Sequence, residues 1–246
     1  MGSSSELPAP VALVTGATSG IGREVARKLA ADGFSVLVHG RDAARGAAVV
    51  DEIIADGGHA RFAAADLTDA ADLERLAADA ADVDVHVLVN NAGFSWFGPT
   101  SELTPATFDA MFAANVRSAY FLVAAIAPLM AKRGAGAIIN LGSMAGQIGL
   151  AGGAAYSATK AALASLTRSW AAEFSPQGVR VNTVAPGPAY TDGATPERIA
   201  ALGGTTLLGR AAEASEIADV IAFLASPKAA YVTGAVIAAD GGRTAI

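Results

Sequence analysis

Short apolar runs rich in valine, leucine, isoleucine and alanine recur along the chain, and each is followed by a longer stretch whose apolar positions repeat at helical spacing. Residues 10–15 read as a strand running into a glycine-rich turn, after which Ile21, Val25 and Leu29 mark one face of a helix over 21–31. The same pairing predicts strands at 34–38, 60–65, 86–90, 137–141, 180–184 and 235–238, and helices at 43–55, 69–80, 105–132, 154–174, 196–202 and 215–225. Strands that are apolar throughout, joined by helices, predict a parallel sheet buried on both faces. The expected fold is therefore α/β and doubly wound. A ligand then belongs in the crevice outside the carboxyl ends of the strands, near the point where strand order reverses.

No linker or shift of composition interrupts this alternation, so residues 11–246 are expected to form one domain. Residues 1–10, with three consecutive serines and two prolines, are expected to be a flexible leader, without the basic start and apolar stretch of a secretory signal. Hydrophobic residues make up 52% of the chain, but much of this is alanine, and no run approaches the roughly 18 apolar residues of a membrane span. A soluble protein is expected. The chain has no cysteine, which excludes disulfides, thiolate catalysis and thiolate metal sites, and a cytoplasmic location is expected. A net charge of −6 without a lysine or arginine cluster argues against nucleic acid and anionic membranes as partners. The three histidines, His39, His59 and His86, are far apart and each lies beside an expected strand, so no metal site is expected.

Two local patterns carry chemistry. Thr15-Gly16-Ala17-Thr18-Ser19-Gly20-Ile21-Gly22 is a GxxxGxG turn between a strand and an amphipathic helix. There the backbone can approach a pyrophosphate, and the first helical amides favour its charge. Further along, Tyr156 and Lys160 stand four residues apart on one expected helix, hence on one face. A phenol titrates near 10. A positive charge at ~4 Å with an effective dielectric of about 20 would lower that by roughly three units, bringing Tyr156 into the range of acid and base catalysis.

Together with Ser143, Asn90-Asn91-Ala92-Gly93, Asn115, Pro186-Gly187 and Thr191, these residues resemble the short-chain dehydrogenase/reductase family in its single-domain branch. The resemblance runs from Val11 to about Gly242 and implies a single doubly wound Rossmann domain, with a seven-stranded parallel sheet flanked by helices on both faces. It implies hydride transfer between a dinucleotide and a carbonyl or secondary alcohol, with Asn115, Ser143, Tyr156 and Lys160 as catalytic residues. Tyr156 would move the proton and Ser143 would orient the oxygen. Lys160 would also bond the nicotinamide ribose, and Asn115 would distort its helix and anchor a water in a proton relay.

The cofactor-binding set implied by the same resemblance is Gly16, Thr18, Ser19, Gly20, Ile21, Gly22, Arg41, Asp66, Leu67, Asn91, Ala92, Gly93, Tyr156, Lys160, Pro186, Gly187 and Thr191. Asp66 and Leu67 would meet the adenine, and Pro186, Gly187 and Thr191 the carboxamide. Asn90 is expected to support the sheet. Gly40 occupies the position where an acidic side chain would select NAD(H), and Arg41 follows it, so NADP(H) is implied, although Asp42 is near enough to compete for Arg41.

The segments expected to line the substrate pocket, 94–97, 144–153 and 188–206, are mostly apolar, which suggests a small apolar or aromatic ketone or alcohol. One alternative is a 3-oxoacyl-carrier-protein reductase. For it Arg133 retains one basic docking position, whereas Gln177 stands where a second is expected. Another is a nucleotide-sensing or scaffold protein without catalysis, against which the intact tyrosine and lysine argue. The helices over 105–132 and 154–174 carry more apolar residues, including Phe121, Leu163, Leu166 and Trp170, than one buried stripe uses. Relatives pair these helices across a two-fold axis, so the resemblance implies a homotetramer.

Overall fold

The computed structural model describes residues 10–191 and 193–246. Residues 1–9 of the expected leader lie outside them. Pro10 does not belong to it, because its carbonyl accepts the Ser35 amide at 2.9 Å and continues the sheet's hydrogen bonding. The strands are β1 Val11–Val14, β2 Ser35–Gly40, β3 His59–Ala64, β4 Val85–Asn90, β5 Gly136–Leu141, β6 Val179–Pro186 and β7 Val236–Ala239. The helices are α1 Gly20–Ala31, α2 Ala43–Ala55, α3 Ala70–Asp82, α4 Pro105–Phe112, α5 Ser118–Arg133, α6 Ala154–Phe174, α7 Pro196–Gly203 and α8 Ala214–Ala225.

The seven strands form one sheet in the order β3-β2-β1-β4-β5-β6-β7, and every pairing is parallel. Neighbouring positions along a strand face opposite sides, and both sides are covered. Ala12, Val14, Val36, Val38 and Ile139 pack with Val25 and Leu29 of α1, Val49 and Ile53 of α2, and Ile217 and Ile221 of α8. On the other face Val11, Leu13, Leu37, Leu88 and Ile138 pack with Leu73 and Leu76 of α3, Leu122 and Ile126 of α5, and Trp170 of α6. Strand order reverses between β1 and β4, which opens a crevice above their carboxyl ends.

The helix expected over 105–132 is continuous from Pro105 to Arg133 but not uniform. Ala113–Arg117 forms a π-helical turn, in which the Ser118 amide reaches back five residues to the Ala113 carbonyl. By length and composition Pro105–Arg133 is apolar enough to cross a membrane, contrary to the expectation that no segment would be. In the fold, Leu122, Val123, Ile126, Ala127 and Met130 of this segment are buried in the core below the sheet. The surplus apolar residues also divide differently from the expectation. Leu163 and Trp170 are buried within their own chain and Leu166 is half-buried, whereas Phe121 is 51% exposed. Tyr120 and Leu129 are exposed with it on α5. The histidines lie within strands rather than beside them, His39 in β2, His59 in β3 and His86 in β4.

Candidate active site

The crevice above β1 and β4 is a cavity of about 480 Å³ that holds the glycine turn at one end and Tyr156 and Lys160 at the other. Of the expected cofactor set, Gly16, Thr18, Ser19, Gly20, Ile21, Gly22, Arg41, Asp66, Leu67, Asn91, Ala92, Gly93, Tyr156, Lys160 and Thr191 line it. Pro186 and Gly187 do not. Gly187 is packed instead so closely on β7 that an added Cβ would lie 2.7 Å from the Asp240 Cα. Ser143 and Asn115 are not among the lining residues; Ser143 is within hydrogen-bonding reach of Tyr156, and Asn115 bonds the Phe94 backbone.

The turn is built for a close approach. An added Cβ at Gly22 would lie 2.2 Å from the Gly16 carbonyl oxygen and 2.4 Å from the Asn91 amide nitrogen, so only glycine closes it. Asn91 holds it from below, its Nδ2 donating to the Thr15 and Gly16 carbonyls at 2.8 and 3.0 Å. Asn91 therefore shapes the turn as well as lining the cavity. Asn90 bonds Asn140 across to β5 at 2.9 Å and supports the sheet.

His39 is a member of the site that the sequence reading missed. It is 2% exposed, its Nδ1 accepts from the Gly16 amide at 3.1 Å, and its Nε2 lies 3.1 Å from the Ala65 carbonyl. Those partners assign the proton to Nε2. Burial pushes its pKa down to about 4, so the ring is neutral and ties the glycine turn to the segment that carries Asp66. The available signal was one imidazole directly after the apolar run Val36-Leu37-Val38.

At the end of β2, an added Cβ on Gly40 would meet the Thr18 Cγ2 at 2.4 Å, so an acidic side chain has no room there without displacing Thr18. Asp42 does not compete for Arg41. Its carboxylate caps α2 through the Ala44 and Arg45 amides and pairs with the Arg45 side chain at 3.1 Å. Arg41 is left exposed, 3.9 Å from Asp66, and Arg45 joins it in lining the cavity. One oxygen of Asp66 is held by the Thr68 amide and hydroxyl at 2.9 and 2.8 Å, which keeps its carboxyl below the usual range.

At the other end, α6 presents Tyr156 and Lys160 on one face, and the Lys160 nitrogen lies 5.7 Å from the phenol's ring centroid. The lowering of Tyr156 is expected of Lys160 acting together with an oxidised nicotinamide, and the chain's own groups shift the phenol the other way. Burial raises the phenol above 10, and hydrogen bonding from Ser143 offsets part of that rise. The Lys160 amine donates to the Leu141 carbonyl at 2.7 Å, and burial lowers its own pKa to about 8. Ser143 also caps the short helical turn after β5, accepting the Ala145 amide at 3.1 Å. The Asn115 amide is fully engaged. It accepts from the Phe94 N–H at 3.0 Å, and donates to the Phe94 carbonyl at 2.9 Å and to the Thr159 hydroxyl at 3.0 Å. It thus joins the π turn, the β4 loop and α6.

The profile of the family described as short chain dehydrogenase matches residues 10–201. Galactitol 2-dehydrogenase (L-tagatose-forming) of Cereibacter sphaeroides is 41% identical over 95% of this chain and 94% of its own. Cis-4-hydroxycyclohexanecarboxylate dehydrogenase of Sinomonas cyclohexanicum is 40% identical over 96% and 97%. A 3-oxoacyl-[acyl-carrier-protein] reductase of Synechocystis is 38% identical over 96% and 97%. Among solved structures, an angucycline C-6 ketoreductase with bound NADP superposes with a TM-score of 0.90 at 34% identity, covering 98% of each chain.

Proposed function

Because the chain belongs to the short-chain dehydrogenase/reductase family, we propose that it interconverts a carbonyl and a secondary alcohol, using NADP(H) in preference to NAD(H) and Tyr156 as general acid and base. The class, oxidoreductase, comes with the family. The observation that carries the finer reading is that Tyr156, Lys160 and the glycine turn line one cavity.

The residues fit a dinucleotide. The Gly16–Gly22 turn leaves no space for a side chain where a pyrophosphate would press on the backbone, and α1 begins at Gly20 with its amides directed there. Arg41, directly after β2 and exposed, provides a cation beside the position where the acidic residue of an NAD site would stand, which favours a 2′-phosphate; Arg45, paired with Asp42, lines the cavity next to it. The NADP in the similar ketoreductase is consistent with that choice.

A bound nicotinamide would supply or accept the hydride. The remaining work falls to the chain. In reduction the carbonyl carbon gains the hydride while its oxygen becomes negative and takes the Tyr156 proton, with Ser143 holding that oxygen by a second hydrogen bond. Burial favours the neutral phenol, so Tyr156 is poised as a donor. Lys160 stands behind it to stabilise the phenolate that results. Asn115 acts by fixing α6 and the Phe94 segment.

Similarity to a carrier-protein reductase favours a second reading. Against it, Arg133 is turned inward, bonded to Asp84 and to the Val85 and Ala135 carbonyls, and does not offer a free docking charge.

A panel of ketones assayed with NADPH and NADH in parallel tests the proposal. Wild-type protein is expected to reduce simple ketones with NADPH. Tyr156→Phe should lose at least about a hundredfold in kcat, as expected for removal of a general acid, and should still bind NADPH. Near-normal turnover by that variant removes the assigned role, and a much greater activity on acyl-carrier substrates promotes the second reading.

A further inference from the structure

Phe97 stands against the Tyr156 phenol just outside the residues that line the cavity, the two rings meeting edge to face with centroids 5.6 Å apart. Over the same ring lies the Arg198 guanidinium, 5.9 Å from the centroid and within the range of a cation–π contact. Arg198 belongs to α7, whose first turn is capped by Thr195 through the Arg198 amide. The next residue, Ile199, is buried and anchors the helix.

The chain's other arginines are mostly neutralised. Arg23, Arg61 and Arg210 are each held by a carboxylate within 3 Å, and Arg133 by Asp84. Arg198 has no carboxylate partner and no side-chain hydrogen bond among the described residues. The Phe97 ring beneath it is itself 44% exposed, and Gly153 packs against that ring. The aromatic face holds the cation in place while leaving its N–H groups free to donate. In a chain of net charge −6, an anion gains little from the overall field, so a local cation is what would select one.

We propose that Arg198 is a specificity-determining residue that receives a carboxylate on the substrate. The preferred substrate is then an oxo- or hydroxycarboxylate with an apolar ring or chain between the two groups. This rests on the carbonyl-reductase reading above and narrows it. The reacting carbon and oxygen gain hydride and proton as before, and the carboxylate is unchanged. Sequence reading favoured an apolar or aromatic ketone over a multiply charged substrate because no cation lies near Ser143 along the chain. α7 brings one in from a distant position.

The test is a matched set of ketones: cyclohexanone, 4-oxocyclohexanecarboxylate and its methyl ester. The readout is the ratio of kcat/KM for the acid to that for the ester, taken within each protein so that a general disturbance of α7 cancels. A charge-assisted hydrogen bond predicts a wild-type ratio of about ten or more. It should fall to about one in Arg198→Met and be intermediate in Arg198→Lys. A wild-type ratio near one, or a ratio unchanged in Arg198→Met, overturns the assignment. Turnover of cyclohexanone in that case leaves the carbonyl-reductase reading intact. Should Arg198→Met lose all turnover, the lysine variant decides: a reduced ratio supports the assignment and an unchanged one overturns it. If wild-type protein reduces none of the three with either nucleotide, the functional reading fails and this proposal falls with it.

Discussion

Lys160 is 5% exposed and makes one hydrogen bond, to the Leu141 carbonyl, so its ammonium is held at a cost to the fold. Its pKa falls from 10.5 to about 8 on folding. Below pH 8 both folded and unfolded chains carry the proton, and the cost is fully present. As pH rises from 8 to 10.5 the folded chain sheds the proton first, and the cost disappears. Lys160→Met is therefore expected to stabilise the protein at pH 7 by roughly 1–3 kcal/mol while abolishing turnover. That gain should shrink above pH 8, as measured by urea unfolding at several pH values. A gain absent at pH 7 contradicts the argument. Arg41 makes the opposite kind of case, an exposed cation whose nearest carboxylate is 3.9 Å away. Arg41→Ala should raise KM for NADPH by about tenfold or more, the loss of a charge-assisted contact, and leave KM for NADH nearly unchanged. Equal effects on both would remove the claim about cofactor choice. The bases of these two expectations differ in origin. Arg41 was legible because it directly follows β2. The orientation of Lys160 was not, because its partner Leu141 lies on β5, a separate element.

At the scale of elements, the π turn at Ala113–Arg117 matters most. A regular helix would place Asn115 differently against the Phe94 backbone and Thr159, the three contacts by which it joins α6 to the β4 loop. Asn115→Ala leaves the Phe94 amide and carbonyl without these partners and should cost about 2–4 kcal/mol. It should also lower kcat more than it raises KM for nucleotide, because Tyr156 loses its support while the glycine turn does not. Denaturant unfolding together with steady-state kinetics checks both. The sequence pattern predicted a helix over 105–132, with more apolar residues than one buried stripe uses. The extra residue in one turn was not legible from periodicity: it rotates the following positions by roughly 100° about the helix axis, but apolar residues lie on more than one face of this segment, so no single stripe is seen to break. Strand bounds differed by one or two residues for a similar reason: where a strand ends depends on its neighbours in the sheet. β6, for example, extends to Pro186 because β7 pairs there.

For the molecule as a whole, α5 leaves Tyr120, Phe121 and Leu129 exposed on a helix whose other side is buried. This face is the one through which a homotetramer or dimer is proposed to form. Phe121→Glu is expected to reduce the molar mass seen by light scattering at micromolar concentration, with little loss of fold stability because the side chain is already exposed. A wild-type monomer would exclude the assembly. The sequence alone determined the kinds of element, their order and the glycine turn, and hence a parallel doubly wound sheet with its crevice at the strand ends. Those features depend on residues within a turn or a strand of one another, where period and turn chemistry act directly. Only the tertiary structure decided that His39 braces the glycine turn, that Asp42 pairs with Arg45, that Lys160 bonds Leu141, and that Arg198 rests over Phe97. Most of these partners come from separate elements, and which side chains meet is fixed by how helices and strands pack, information that no local pattern contains.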